Sequence, residues 1–264
     1  LRDSQGQVVL DFSYNDNDPW PEAADGAGAT LELINPTDTP ADQFGKYYNW
    51  RSSTEFGGTP DGNGSGPIGV VINEVLTHTD LPATDSIELL NTTAGTIDVS
   101  GWLLSDSDAN FVKFEIAANT MLGPGEYLVF DEDDFNPTPL TPGPQDFALS
   151  GARGDQVWLV IPDGSGGITS IVDQVSFGAA ALGESFGRTP NGTGRLAPMS
   201  NQTLDAANAA PRVGPVIVSE INYNPDPSPV VAADREFIEV YNPTDSAVDL
   251  TEWRVRGGIS YDFA

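Results

Sequence analysis

The sequence predicts an all-β protein built as tandem β-sandwich modules, and three observations carry that prediction. One stretch, Ser86–Leu104, returns as Phe237–Val255 with Ile, Glu, Asn, Thr, Asp and Trp at the same offsets, and a short strand precedes each copy, Val71–Val75 and Ile217–Ile221. A pattern that returns at such length marks a repeated structural unit. Apolar residues alternate over short runs, and Gly 28 and Pro 21 place turns between those runs, which is how strands joined by turns read. No long stretch carries the 3.6-residue period of an amphipathic helix.

Taken in order, Gln7–Tyr14 alternates as a strand, Asn15–Trp20 is a turn cluster, and Ala29–Ile34 is a second strand, with Tyr47–Arg51 and Phe56–Pro60 closing the segment. This part has a counterpart downstream, Ser170–Phe177 for Val8–Tyr14 and Gly183–Arg188 for Gly28–Leu33. Residues 1–60 are therefore expected to be the C-terminal half of a module. A Gly-rich linker spans 61–67. A complete module follows over 68–198, with strands near Val70–Val75, Ser86–Asn91, Gly101–Ser105, Val112–Ile116, Glu126–Phe130, Val157–Ile161 and Ser170–Phe177. Leu122–Gly125 and Asn136–Pro144 are loops, and Gly164–Gly167 turns a hairpin. About seven short strands with turns between them predict an immunoglobulin-like sandwich. A second linker covers 199–214, and 215–264 opens the N-terminal half of a further module, with Tyr261–Phe263 where the complete module has Val112–Phe114.

The motifs Ile72-Asn-Glu-Val75, Ser86-Ile-Glu-Leu-Leu-Asn91, Val99-Ser-Gly-Trp-Leu-Leu104, Leu122-Gly-Pro-Gly-Glu-Tyr-Leu-Val-Phe130, Gly154-Asp-Gln-Val-Trp-Leu-Val160 and Val172-Asp-Gln-Val-Ser-Phe177 occur in an order that resembles the lamin-tail domain. The resemblance covers 68–198 fully and the flanking parts as half-modules. It implies tandem immunoglobulin-like β-sandwich modules. It also implies a bacterial secreted or surface protein, since such domains there sit beside nucleases, phosphatases or spore-coat-kinase-like domains. The heptad rod of nuclear lamins is absent, so a nuclear filament role is not supported.

Composition narrows the function. A length of 264 residues suggests about two domains, and 39% apolar with 9% aromatic residues suffices for packed cores. Asp+Glu 39 against Lys+Arg 11 gives a net charge of -28, with Lys46 and Lys113 the only lysines. Such a surface repels phosphate backbones and anionic membranes, so no nucleic-acid partner is expected. It is expected to be solvated and to bind cations weakly. There are no cysteines, which excludes disulfides, thiol catalysis and Cys-based zinc sites. No apolar run approaches the ~20 residues of a membrane helix. The chain starts at Leu1 without a signal-peptide pattern, so a removed leader or a longer parent chain is expected.

Trp102 and Trp253 are expected between sheets, with a sugar platform as the other reading. Glu88 and Glu239 alternate with apolar neighbours and are expected to face outward; a hydrogen bond to loop backbone or a metal contact is the alternative. Asn91 and Asn242 end strands before turns and suit Asx-turns. Asp106, Asp108 and Asn110 present alternate oxygens with Ca²⁺-like spacing, without the Gly and distal Glu of an EF-hand. Asp131 and Asp133, and the Asn15–Asp18 turn, are similar oxygen-rich clusters, with solvated or turn-capping carboxylates as the alternative. Ca²⁺ is thus the candidate cofactor. His78, the single histidine, lies in a polar loop, and no catalytic set surrounds it in sequence. Sequons at Asn63, Asn91, Asn191 and Asn201 are expected by chance.

The expected function is a non-catalytic structural or interaction array of a secreted or cell-surface protein, with self or neighbouring modules as partners. Its half-modules are candidates for head-to-tail docking, because each leaves a sheet edge unpaired. Two alternatives are the accessory region of a larger secreted enzyme and a polysaccharide-binding module using Trp20, Trp50 or Tyr47.

Overall fold

A computed structural model describes residues 1–62, 64–223 and 236–264. The chain divides into two compact units, Leu1–Pro211 and Arg212–Ala264. Asn63, one of the sequons, and residues 224–235 lie outside the described residues.

The first unit begins with a small ribbon, β1 (Leu31–Leu33) against β2 (Trp50–Ser52). The sandwich strands follow: β3 (Val70–Leu76), β4 (Ser86–Asn91), β5 (Ile97–Asp98), β6 (Leu103–Ser105), β7 (Phe114–Glu115), β8 (Met121–Leu122) and β9 (Tyr127–Asp131). After a one-turn helix α1 (Glu132–Phe135) come β10 (Asp155–Pro162), β11 (Ile168–Phe177), β12 (Ser185–Thr189) and β13 (Arg195–Pro198). Five strands form one sheet in the order β13-β12-β3-β4-β9, and four form the other in the order β11-β10-β6-β7. All these pairings are antiparallel. β5 and β8 pair in a separate two-stranded piece.

Period-two alternation decides what fills the space between the sheets. Ile72, Ile87 and Leu89 from one sheet meet Leu104, Val157 and Leu159 from the other, all fully buried. Trp102 joins this core at 7% exposure, as the sequence predicts. The intervening residues would normally face water, yet β4 is buried along its whole length. Both outer faces of the sandwich are covered. On the four-stranded sheet, Leu103, Trp158, Val160 and Ile171 form a second apolar layer with Ala23 and Ala27 from the N-terminal segment. On the five-stranded sheet the cover is polar, and it comes from the segment after β13.

Three sequence expectations are corrected. Gln7–Tyr14 is not a strand; the chain only folds back on itself at the isolated Arg2–Val8 bridge, and Val8 and Val9 are exposed. Alternation without a neighbouring strand to pair with does not make a strand. The complete module needs β12 and β13, which the strands predicted from alternation did not include; β12 bridges β13 to β3. The stretch 199–211, read as linker from its Asn and Ala content, is docked: its ends meet at a Met199–Pro211 bridge, and its backbone amides bond to side chains of β3 and β4.

The second unit has β14 (Ile217–Asn222) paired with β15 (Phe237–Tyr241), and β16 (Arg254–Val255) paired with β17 (Tyr261–Asp262). Its local geometry repeats that of the sandwich. Trp253 N–H donates to the Leu250 carbonyl as Trp102 N–H donates to Val99, and Phe263 N–H donates to the Trp253 carbonyl as Ile116 N–H donates to Trp102. Phe263 therefore occupies the position of Ile116, two residues from the alignment read in sequence. A shift of two preserves which face each side chain takes, so alternation could not detect it. Trp253 is 42% exposed rather than buried; among the described residues its unit holds two two-stranded pieces, β14 with β15 and β16 with β17.

The apolar cover at Ala23 and Ala27 should be intolerant of charge. Ala27→Asp places an unpaired carboxylate near Trp158 and should destabilise the first unit by roughly 2–4 kcal/mol. Leu140→Ala, at a position 97% exposed, should leave the melting temperature unchanged. Thermal unfolding followed by tryptophan fluorescence distinguishes the two.

Candidate functional site

The polar cover begins with a β-bulge. β3 pairs with β4 as Ile72 opposite Leu89 and then Glu74 opposite Glu88, so Asn73 is the extra residue. The bulge gathers three fully buried polar side chains, Asn73, Glu74 and Glu88, at one place on the sheet. Burying two carboxylates is costly unless donors reach them, and here each oxygen has one. Glu74 accepts from the Thr203 amide at 3.0 Å and the Thr203 hydroxyl at 2.9 Å. Glu88 accepts from Asn73 Nδ2 at 2.9 Å and from the Asp205 amide at 2.6 Å. Asn208 completes the cover: its Nδ2 donates to the Asn73 and Arg188 carbonyls at 3.0 and 3.1 Å, and its amide donates to Asn191 Oδ1 at 2.9 Å. The segment Thr203–Asn208 is thus held on the sheet by side chains that the strand pattern assigns to solvent.

An ion pair borders this network. Arg188 reaches Asp173 at 2.7 Å and donates to the Ile72 and Gly194 carbonyls at 2.9 and 2.6 Å, while Asp173 accepts from the Ile72 amide at 2.7 Å. It ties β11 of one sheet to β3 and β12 of the other.

Glu88 therefore has the second of its two sequence readings, a hydrogen bond to loop backbone. Its counterpart Glu239 is exposed and accepts from Ser219 Oγ at 2.6 Å. Asn91 and Asn242 both make the expected Asx-turns, accepting from the Thr93 and Thr244 amides at 2.9 Å. Asn91 Nδ2 is used on the Gly95 and Leu122 carbonyls, and Asn191 Nδ2 on Tyr127.

The oxygen-rich turns are not brought together. Asp106 is ion-paired with Lys113, Asp108 is exposed, and Asn110 accepts from the Val112 amide at 3.1 Å. Asp131 accepts from the Asp133 amide at 3.0 Å and caps α1. Among the described residues, no three His, Asp or Glu side chains are grouped as metal ligands. His78 holds its loop through Nδ1 on the Ala180 carbonyl at 2.7 Å.

A second concave feature was partly legible in sequence. Tyr47, Trp50 and Trp20, the three candidate sugar-stacking residues, line one cleft of about 830 Å³ with Asp18, Glu22 and Arg195. One face of Trp50 is taken by Phe12, stacked at 5.7 Å, and Arg195 lies 5.3 Å over the Tyr47 ring.

Two sheets, antiparallel pairing and a Trp in the core define the first unit as an immunoglobulin-like β-sandwich. Residues 64–179, a little under half of the chain, match the family model described as the Lamin Tail Domain, so this part of the chain is similar to a lamin tail domain. The match stops before β12, β13 and the 199–211 cover, which the sandwich shows to be integral to the same sheet. No curated protein and no solved structure matches the chain.

Burial pushes the Glu88 carboxyl from its ordinary 4.5 up to about 7, and the neighbouring Glu74 charge adds to the rise, while the Asn73 and Asp205 donors oppose it. Between those two values the folded state keeps a proton that the unfolded state has lost. Stability should therefore fall as pH rises from about 4.5 to about 7. Glu88→Gln should flatten that fall, by up to roughly 3 kcal/mol across the window. Melting curves over pH 4–8 check this; an unaltered slope in the variant would assign the proton uptake elsewhere. Asn208→Ala should cost about 1–3 kcal/mol by stripping donors from the cover.

Proposed function

We propose that the chain is a non-catalytic structural and interaction module of a secreted or cell-surface protein, joined to further copies or to neighbouring modules. The observation that carries this is the fate of the carboxylates: all four oxygens of Glu74 and Glu88 accept hydrogen bonds from the chain's own Asn73, Thr203 and Asp205. The most chemically loaded cluster of the sandwich is thereby committed to holding a peptide segment on a sheet. The match to the lamin tail domain, a non-enzymatic immunoglobulin-like family, supports the same reading.

The test is to immobilise the full chain and measure binding of the soluble chain and of a polysaccharide panel side by side. Self-binding without sugar binding supports the proposal. Sugar binding without self-binding overturns it in favour of a carbohydrate module, for which the Tyr47, Trp50 and Trp20 cleft is the observation in hand. In that case Tyr47→Ala should weaken sugar binding at least tenfold, since the aromatic face it offers to the cleft is lost. Melting with and without millimolar Ca²⁺ tests the Asp106–Asn110 and Asp131–Asp133 turns: a bound ion at 100 Kd raises stability by about 2.7 kcal/mol.

A further inference from the structure

The covered carboxylate pair has two halves, and each half occurs a second time in the chain, where no complement pairs with it among the described residues. The acceptor half is β3 with β4; the donor half is β12, β13 and the Thr203–Asp205 turn. β12 lies along β3 with Ser185 opposite Leu76, Phe186 opposite Val75 and Gly187 opposite Glu74.

The second acceptor half is β14 with β15. Val218 faces Val240, a bulge follows, and Glu220 faces Glu239, as Ile72 faces Leu89 and Glu74 faces Glu88. Ser219 Oγ donates to Glu239 Oε1 at 2.6 Å, where Asn73 Nδ2 donates to Glu88 Oε1 at 2.9 Å. Glu220 and Glu239 are exposed, and among the described residues β14 has β15 as its one partner strand.

The second donor half is β1, β2 and the turn after them. Leu31 faces Ser52, Glu32 faces Arg51 and Leu33 faces Trp50, as Phe186 faces Pro198, Gly187 faces Ala197 and Arg188 faces Leu196. The Ser53 amide donates to Thr30 at 2.7 Å, as the Met199 amide donates to Ser185 at 2.9 Å. The Gly62 amide donates to the Thr59 carbonyl at 3.0 Å, as Ala206 does to Thr203 at 3.0 Å, and Asp61 and Asp205 share a left-handed φ of 64°. Side-chain bulk is exchanged consistently: Asn208 stands over Gly187, whereas Glu32 stands over Gly64. Among the described residues the Thr59 and Asp61 amides, counterparts of the two that bind Glu74 and Glu88, have no acceptor. A groove of about 640 Å³ runs between β1 and this turn. It lies where β3 and Glu74 lie in the complete arrangement.

We propose that two copies of this chain join head to tail, β14 of one entering the groove beside β1 of the next, with Thr59 and Asp61 amides on Glu220 and Glu239. The pairing rests on the reading of the chain as an interaction module and gives that module its interface. Its register is fixed by the internal template: Thr30 opposite Asn222, Leu31 opposite Ile221, Glu32 opposite Glu220. Each copy carries both halves on different units, so the contact is heterologous and propagates or closes into a ring. Glu32 keeps Arg51 as its partner at 3.2 Å, which offsets the charge that Glu220 brings. The net charge of -28 opposes association at long range, so added salt strengthens it.

The test uses the full chain in sedimentation velocity over a concentration series at low and at 0.5 M salt (roughly 3–5 Å screening at the latter). The expected result is a weight-average mass that rises above one chain with concentration, and more so in salt. Glu220→Ala/Glu239→Ala should weaken association at least tenfold without shifting the melting curve, both residues being exposed. Because the chain has no cysteine, Thr30→Cys and Asn222→Cys variants mixed under mild oxidation report the register. Directly opposed positions fall within disulfide reach, so a crosslinked heterodimer should form, and Leu33→Cys should not replace Thr30→Cys. A strictly monomeric chain overturns this interface together with self-association. Association that survives the double alanine variant and gives no Thr30–Asn222 crosslink overturns this interface alone and leaves the interaction-module reading standing.

Discussion

Two carboxylates buried side by side on a sheet are an unstable arrangement unless something donates to them. In this protein the donors are backbone amides of a segment more than a hundred residues downstream, Thr203 and Asp205 on Glu74 and Glu88. An amide donor to an ionised group contributes more than a neutral pair, and leaving such a group unmet in the interior costs several times as much. The bulge at Asn73 exists in service of this contact, because it brings Asn73, Glu74 and Glu88 together. The position of β12 follows from it as well, since the covering segment leaves β13 and must arrive over β3 and β4. The five-stranded sheet, its closing strands and its polar cover are one cooperative object.

The opposite sheet solves the same covering problem with apolar groups. Leu103, Trp158, Val160 and Ile171 would present a greasy outer face, and Ala23 and Ala27 close it. The N-terminal segment is then fastened at its margins by Glu22 to Gln174 and Ser176, and by Phe56 and Thr54 along β11. Small residues suit this place because they let the backbone approach closely. A sandwich with both outer faces covered has little left for solvent alternation, which is why β4 reads as polar-apolar in sequence yet is buried throughout.

Much of the sandwich was legible from the chain. Ser86–Asn91 and its alternation place β4 with the right ends, and the Asx-turns at Asn91 and Asn242 follow from residue chemistry within a few positions. Trp102 in the core follows likewise. The covering segment was not legible, because its Asn, Ala and Thr composition is that of a loop, and what holds it is a contact between residues far apart in sequence. The same holds for Gln7–Tyr14, which alternates well and forms no strand for want of a neighbour. Glu88 was a two-sided case: its alternation pointed outward correctly, and only the arrival of Asp205 decided that outward was not solvent.

By itself, the sequence determined which local conformations were available: short strands, Asx-turns, a Trp on an inner face, a matching stretch near the end. These depend on side-chain alternation and on hydrogen bonds spanning a few residues, so they are written locally. Tertiary structure alone decided which carboxylates are buried and which segment covers which sheet. Those outcomes turn on whether a donor arrives from elsewhere in the chain, and no local pattern encodes that arrival.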